Sequence, residues 1–263
     1  MIRLLEIERR SAVPADYHLH GLGHEGPPHN VERLLPFARA AHRAGLTEIG
    51  FAEHDFYLAD LDFDVFARLE QCGQIKVRVG LEVDFSPDKQ HWQELDGRPW
   101  DYLIGSVHAI GDWAFDYPGE EGGFASRDID TIYADYFALV GRAAATGLFQ
   151  IIGHLDLIKI YGHRPRQPVV ELAEPALQLI AASGAVLELN TAGLFKPVAE
   201  IYPSPELLAR AFELNIPVTI SSDAHAPEEV GRQRAQAVEI LRRIGYNCLA
   251  TFCRRQMFTE PLA

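Results

Sequence analysis

Seven imidazoles and two carboxylates recur along this 263-residue chain at intervals that suit metal chemistry: His18, His20 and His24, then His54, Glu82, His108 and His154, and last Asp223 and His225. Imidazole mixed with carboxylate is a donor set for zinc, manganese or iron, and the absence of cysteine from it argues against a structural zinc centre. Such a set exceeds the needs of one ion. With one carboxylate shared as a bridge, it would serve two or three divalent ions, each keeping room for water or substrate. Clusters of this kind favour hydrolysis of phosphate esters, because their ions lower the pKa of a bound water and neutralise charge on the attacking and leaving oxygens.

Residues so far apart in sequence meet only if the fold gathers them. Seven short apolar, β-branched runs read as strands, at 15–20, 48–54, 76–83, 101–108, 149–154, 185–190 and 217–223. Six of them end in, or within a few residues of, one of the donors, and only 185–190 ends without one. Along a strand, positions i and i+2 share a side, so His18 and His20 are expected to face the same way, as are Asp223 and His225. Segments 31–44, 129–146, 169–183, 205–214 and 227–244 carry helical periodicity, with Gly45, Gly147, Gly184 and Gly245 as stops. Strands alternating with helices predict an α/β fold around a parallel sheet, and in a barrel the strand C-termini converge on one rim. Segments 86–99 and 111–126 read as long loops on that rim, and 2–11 as a short added strand or arm. No repeat or linker divides the chain, so 1–263 reads as a single domain.

Composition narrows the partners. With 24 basic and 37 acidic side chains the formal charge is −13, and no basic run supplies a face for a nucleic acid. Cys72, Cys248 and Cys253 are few and unpaired in spacing, as in a reducing compartment. No apolar run is long enough to cross a membrane, and the first residues lack the apolar stretch of a signal peptide, so a soluble cytoplasmic protein is expected. Any phosphate it binds must be met locally. Lys159, Arg164 and Lys196, after the fifth and sixth strands, are the candidate cations, Arg164 above all for its bidentate fork. His29, His42 and His91 read as solvated.

With these residues in view, the chain resembles the polymerase-and-histidinol-phosphatase (PHP) superfamily, and within it the monofunctional histidinol-phosphatase branch. The matching stretches are D-Y-H-L-H with His24, F-A-E-H-D, V-G-L-E-V-D-F, D-Y-L-I-G-S-V-H, I-G-H-L-D-L-I-K, L-N-T-A-G-L and S-S-D-A-H-A-P-E-E-V-G. The resemblance implies a distorted (β/α)7 TIM-like barrel with a trinuclear metal site at the C-terminal ends of its strands. It implies that His18, His20, Glu82 and Asp223 hold one ion, that Glu82 bridges to a second held by His108 and His154, and that His24, His54 and His225 hold a third. Asp16 is then expected to orient an imidazole.

The implied reaction is hydrolysis of a small phosphomonoester, L-histidinol phosphate, by a hydroxide shared between two ions. Asp223, Glu82 and His225 would be the catalytic residues, with Asp223 shuttling a proton to the departing alkoxide. Asp112 or Asp116 would pair with the substrate's amine and Trp113 would stack on its ring. Another small phosphomonoester is the alternative substrate. One departure stands out: where relatives carry a basic pair after N-T-A-G-L, this chain has Phe195 followed by Lys196. The oligomeric state is left open.

Overall fold

The structure is a computed structural model that describes residues 14–23, 25–88, 95 and 97–262. His24, His91 and the 2–11 segment lie outside the described residues. Seven strands pair in chain order, each parallel to the next: β1 (Ala15–Leu19), β2 (Glu48–His54), β3 (Lys76–Asp84), β4 (Ile104–Ser106), β5 (Ile151–Ile152), β6 (Val186–Asn190) and β7 (Val218–Ser221). His20 N donates to Ala224 O at 2.8 Å and Ala224 N donates to His18 O at 3.1 Å, which ties β1 to the segment after β7. The result is a distorted, nearly closed (β/α)7 TIM-like barrel, as the sequence implied.

Helices α1 (Val31–Arg43), α2 (Phe63–Gly73), α3 (Ile129–Ala145), α4 (Val169–Ser183), α5 (Pro205–Glu213) and α6 (Arg234–Ile244) surround the strands. Asn30, Asp62 and Asp128 cap α1, α2 and α3 by accepting from backbone N–H groups of the first turn. α3 and α4 bury Ile132, Phe137 and Val140 with Ala173, Leu177 and Ile180 in one apolar cluster. α6 begins at Arg234 and not at Pro227. The acidic residues before it form a separate 3-10 turn, Pro227–Glu229, in which Glu229 Oε2 accepts from His225 N at 2.8 Å.

Two elements had no counterpart in the sequence reading. One is α2; the other is an antiparallel hairpin of β8 (Cys248–Cys253) and β9 (Gln256–Pro261). Its two-residue turn puts Arg254 and Arg255 at φ 50° and 62°, a conformation normally signalled by Asn or Gly. Tertiary bonds hold it instead: Arg254 N donates to Asp101 Oδ1 at 2.9 Å and Arg255 N to Asp101 O at 2.8 Å. Ala250 and Phe252 of β8 join Tyr17, Ala52, Tyr102, Ile104, Ile151 and Val186 in a buried plug at the strand-start side of the barrel.

Glycine makes room for that plug. A Cβ at Gly80 would stand 2.3 Å from two ring carbons of Tyr102, whose hydroxyl donates to Tyr17 O at 2.6 Å. Gly80→Ala is therefore expected to destabilise the chain by about 1–3 kcal/mol through overpacking. Thermal melting checks this, and an unchanged midpoint would contradict the packing described.

β1 carries an irregularity that decides which side chains reach the site. Ala15 and Asp16 pair with Glu48 and Ile49, but Leu19 pairs with Phe51, so β1 holds one extra residue between. Tyr17 below the bulge joins the plug while His18 and His20 above it face the site. Strict alternation would have grouped Asp16 with His18.

Candidate metal centre

The strand ends bring the donors together as three overlapping groups, each with its ligand atoms within 4.8 Å of one another: His18, His20 and Glu82; Glu82, His108 and His154; and His20, His54 and His225. Glu82, at the end of β3, is the common member of the first two. Its Oε1 lies 3.3 Å from His18 Nε2, 3.6 Å from His108 Nε2 and 3.0 Å from His154 Nε2. Its Oε2 lies 3.5 Å from His20 Nε2 and 3.0 Å from His54 Nδ1. Asp223 Oδ1 stands 3.4 Å from His20 Nε2, 3.9 Å from His18 Nε2 and 3.6 Å from His225 Nδ1. The grouping differs from the implied ligand sets in that His20 belongs with His54 and His225 as well as with His18, and Asp223 stands beside these groups without joining one.

The charges of these side chains answer one another. Burial opposes ionisation of Glu82, but the adjacent His18, His108 and His54 outweigh it and hold its carboxyl well below the ordinary carboxylate range. His108 is pushed up to about 10, because Glu82 and Asp84 more than offset its burial. His20 goes the other way, held well below the ordinary imidazole value by burial and by its neighbours His225 and His54. Both ring nitrogens of His20, and Nε2 of His18, are buried without a hydrogen-bond partner among the described residues. A buried polar atom left so costs about 1–3 kcal/mol, and a divalent ion among them would satisfy it. The donor set therefore fits metal ions, with His18, His20, Glu82, His54, His108, His154, Asp223 and His225 as the residues that could hold them.

Neighbouring carboxylates fix this arrangement. His108 Nδ1 lies 3.4 Å from Asp84 Oδ1, two residues on from Glu82 along β3. Glu53 accepts from Gly21 N at 2.6 Å and from Leu22 N at 3.1 Å, anchoring the loop that follows His20. Glu188 lies fully buried within β6, the strand that had seemed chemically silent, and meets His18 Nδ1 at 2.6 Å. Its position two residues before Asn190, on the same side of the strand, is the sequence signal for this role. Asp16, expected to orient an imidazole, bonds to none among the described residues. The bulge sends its carboxylate to Ser222 N, the Ser222 hydroxyl and Gly231 N, where it braces the turn bearing Asp223. Asp223 itself has a left-handed backbone, φ 51°, uncommon outside glycine and recurrent at functional sites.

The residues expected to contact substrate are more scattered. Lys159 is buried and already engaged by Asp156 Oδ2 and Ile201 O, both at 2.8 Å. Arg164 pairs with Glu200 Oε1 at 2.6 Å and, with Lys159, lines a cavity of about 240 Å³ that also touches Asp156 and Ser204. Lys196 and Asp112 are exposed. Trp113 packs inward within its own loop, donating from Nε1 to Glu120 O at 3.0 Å and lying edge-on to Phe124, so its ring is committed to loop packing. The acid of that loop facing the histidines is Asp116, close enough to feel His108 and His154 and raised by burial. Phe195 is not without a cation: Arg232 sets its guanidinium 4.5 Å over the ring. His29 is buried and accepts from Asp62 N, which corrects its reading as solvated.

A parallel barrel whose C-terminal rim gathers imidazoles around a shared, buried carboxylate defines a metal-dependent hydrolase. The chain belongs to the PHP domain family, whose model matches residues 16–192. It is 41% identical over 262 residues to a probable histidinol-phosphatase of Deinococcus radiodurans, covering 92% of this chain and 97% of the relative. It is 28% identical to the histidinol-phosphatase of Lactococcus lactis, over 90% of this chain and 93% of that one. Among solved structures, a histidinol phosphate phosphatase from Lactococcus lactis, crystallised with zinc, L-histidinol and phosphate, superposes with a TM-score of 0.75. That match has 24% identity and covers 93% of this chain and 98% of the other, so it speaks to the fold.

Proposed function

We propose that the chain is a histidinol-phosphatase, hydrolysing L-histidinol phosphate to L-histidinol and phosphate in histidine biosynthesis, with two or three zinc, manganese or iron ions at the barrel rim. The observation that carries this is Glu82, one buried carboxylate within 3.6 Å of five imidazoles. The similarity to relatives bearing that name supplies the substrate. When bound, the ions would lower the pKa of water and neutralise charge on the phosphoryl oxygens.

The chain's own residues divide the remaining work. His18, His20, Glu82 and Asp223 would hold one ion, Glu82, His108 and His154 a second, and His54 and His225, close to His20, a third, with His24 as a further donor. Asp223 turns Oδ1 toward the shared centre while Oδ2 accepts from Asn190 Nδ2 at 3.1 Å, and it is the group proposed to carry a proton to the departing alkoxide. Arg164, Lys159 and Lys196 are the cations assigned to phosphate, with Arg164 required to leave Glu200. Asp116, in place of Asp112, is the carboxylate for the substrate's ammonium. Expression in a host lacking histidinol-phosphatase is expected to restore growth without histidine. Failure of an abundantly expressed, folded protein to do so would contradict the assignment.

A further inference from the structure

One carboxylate joins four strands of the barrel beneath the donors. Glu188 Oε1 meets His18 Nδ1 of β1 at 2.6 Å and accepts from the Ser221 hydroxyl of β7 at 2.6 Å. Its Oε2 accepts from His154 N, just beyond β5, at 2.8 Å and from Asn190 Nδ2 of β6 at 3.2 Å. Asn190 passes the connection on to Asp223 Oδ2 at 3.1 Å. The backbone N–H and the amide can only donate, so Oε2 cannot carry a proton. The ionised form satisfies all four contacts at once.

From this network we infer that Glu188 is a positioning residue that sets the tautomer of His18 and thereby makes its Nε2 a metal donor. The inference deepens the metal reading and rests on it. An ionised carboxylate cannot donate, so Nδ1 must carry the imidazole proton at a separation of 2.6 Å. In the neutral imidazole that binds a metal, Nε2 is then left with its lone pair, and Nε2 is the atom 3.3 Å from Glu82 Oε1, buried without a hydrogen-bond partner among the described residues.

Glu188→Gln tests this with almost no change of shape. The His154 N–H is fixed in the backbone and claims the amide oxygen, which leaves the amide NH2 facing His18 Nδ1. Nδ1 can then only accept, so the proton moves to Nε2 and blocks the donor. Zinc titrated against a chromophoric chelator is expected to bind Glu188→Gln about 10–100-fold more weakly than the parent at the position that includes His18. Far-ultraviolet circular dichroism on the same samples reports whether the variant is folded. Nitrogen-15 NMR of the zinc-loaded parent supplies a reading that needs no variant of Glu188, with the His18 signals assigned by their loss in His18→Gln. A proton on Nδ1 is expected. A proton on Nε2, or a folded Glu188→Gln that binds zinc as tightly as a zinc-binding parent, would overturn the inference. A parent that takes up no zinc, manganese or iron would instead contradict the metal reading beneath it.

Discussion

Replacing Glu82 by Gln is expected to remove both metal occupancy and activity. The carboxylate has under 2% of its surface exposed, and each oxygen lies within 3.6 Å of at least two imidazole nitrogens. It is the only member common to the first and second donor groups. An amide of the same size keeps the packing but brings no charge and one acceptor in place of two, so it cannot bridge two cations. We expect at least about a 10³-fold fall in phosphate release, comparable to or larger than losing one preorganised electrostatic contact. Elemental analysis of the purified variant should show fewer ions per chain than the parent. A variant with full occupancy and near-parental turnover would contradict the bridging role.

Asp223→Asn should separate chemistry from assembly. The Asp223 carboxyl is held well below the ordinary range, because His18, His20 and His225 outweigh its burial. Depression of this kind keeps the side chain an ionised carboxylate near neutrality, the form a cation-holding site needs. The asparagine variant retains the outline of the side chain and an acceptor for one neighbour, and Glu82 with the imidazoles still surrounds the ion positions. Metal should remain largely bound while kcat falls by about 10²–10⁴-fold, the range for loss of a positioned general acid–base group. Near-parental kcat would remove the proton-shuttle role, whereas loss of metal in proportion to activity would make Asp223 a ligand and nothing more.

Much of the barrel was legible because its signals are local. β2 at Glu48–His54 and α4 at Val169–Ser183 fall on the runs read from periodicity alone, and the donors sit at the strand ends where a parallel barrel converges. What escaped the sequence was set by tertiary contact. The β1 bulge follows from pairing with β2, so nothing in D-Y-H-L-H tells that Asp16 will leave the side of His18. The Arg254–Arg255 turn carries no turn residues because Asp101, in the segment before β4, holds it. Glu188 was missed for a different reason. It lies mid-strand in A-V-L-E-L-N, and a carboxylate there declares its need for partners only once the strand is known to be buried on that side. Trp113, expected to stack on the substrate, is turned inward by Glu120, Phe124 and Gly123, contacts that its own loop sequence does not encode.

The excess of acidic side chains also takes on a definite meaning in the folded chain. Part of it is structural and metal-directed: Asp16, Glu53, Glu82, Asp84, Glu188 and Asp223 all serve the rim of one barrel. Divalent ions seated among these carboxylates would set positive charge where a substrate's phosphate arrives, although the protein as a whole is acidic. The most direct test of that account is the specificity constant, kcat/KM, of the zinc- or manganese-loaded protein for L-histidinol phosphate beside a panel of sugar and nucleotide monophosphates. The account predicts a value for histidinol phosphate at least about 100-fold above every other monoester, the discrimination expected when a site pairs with the substrate's amine as well as its phosphate. Equal values across the panel, or hydrolysis undiminished after exhaustive chelation, would contradict it.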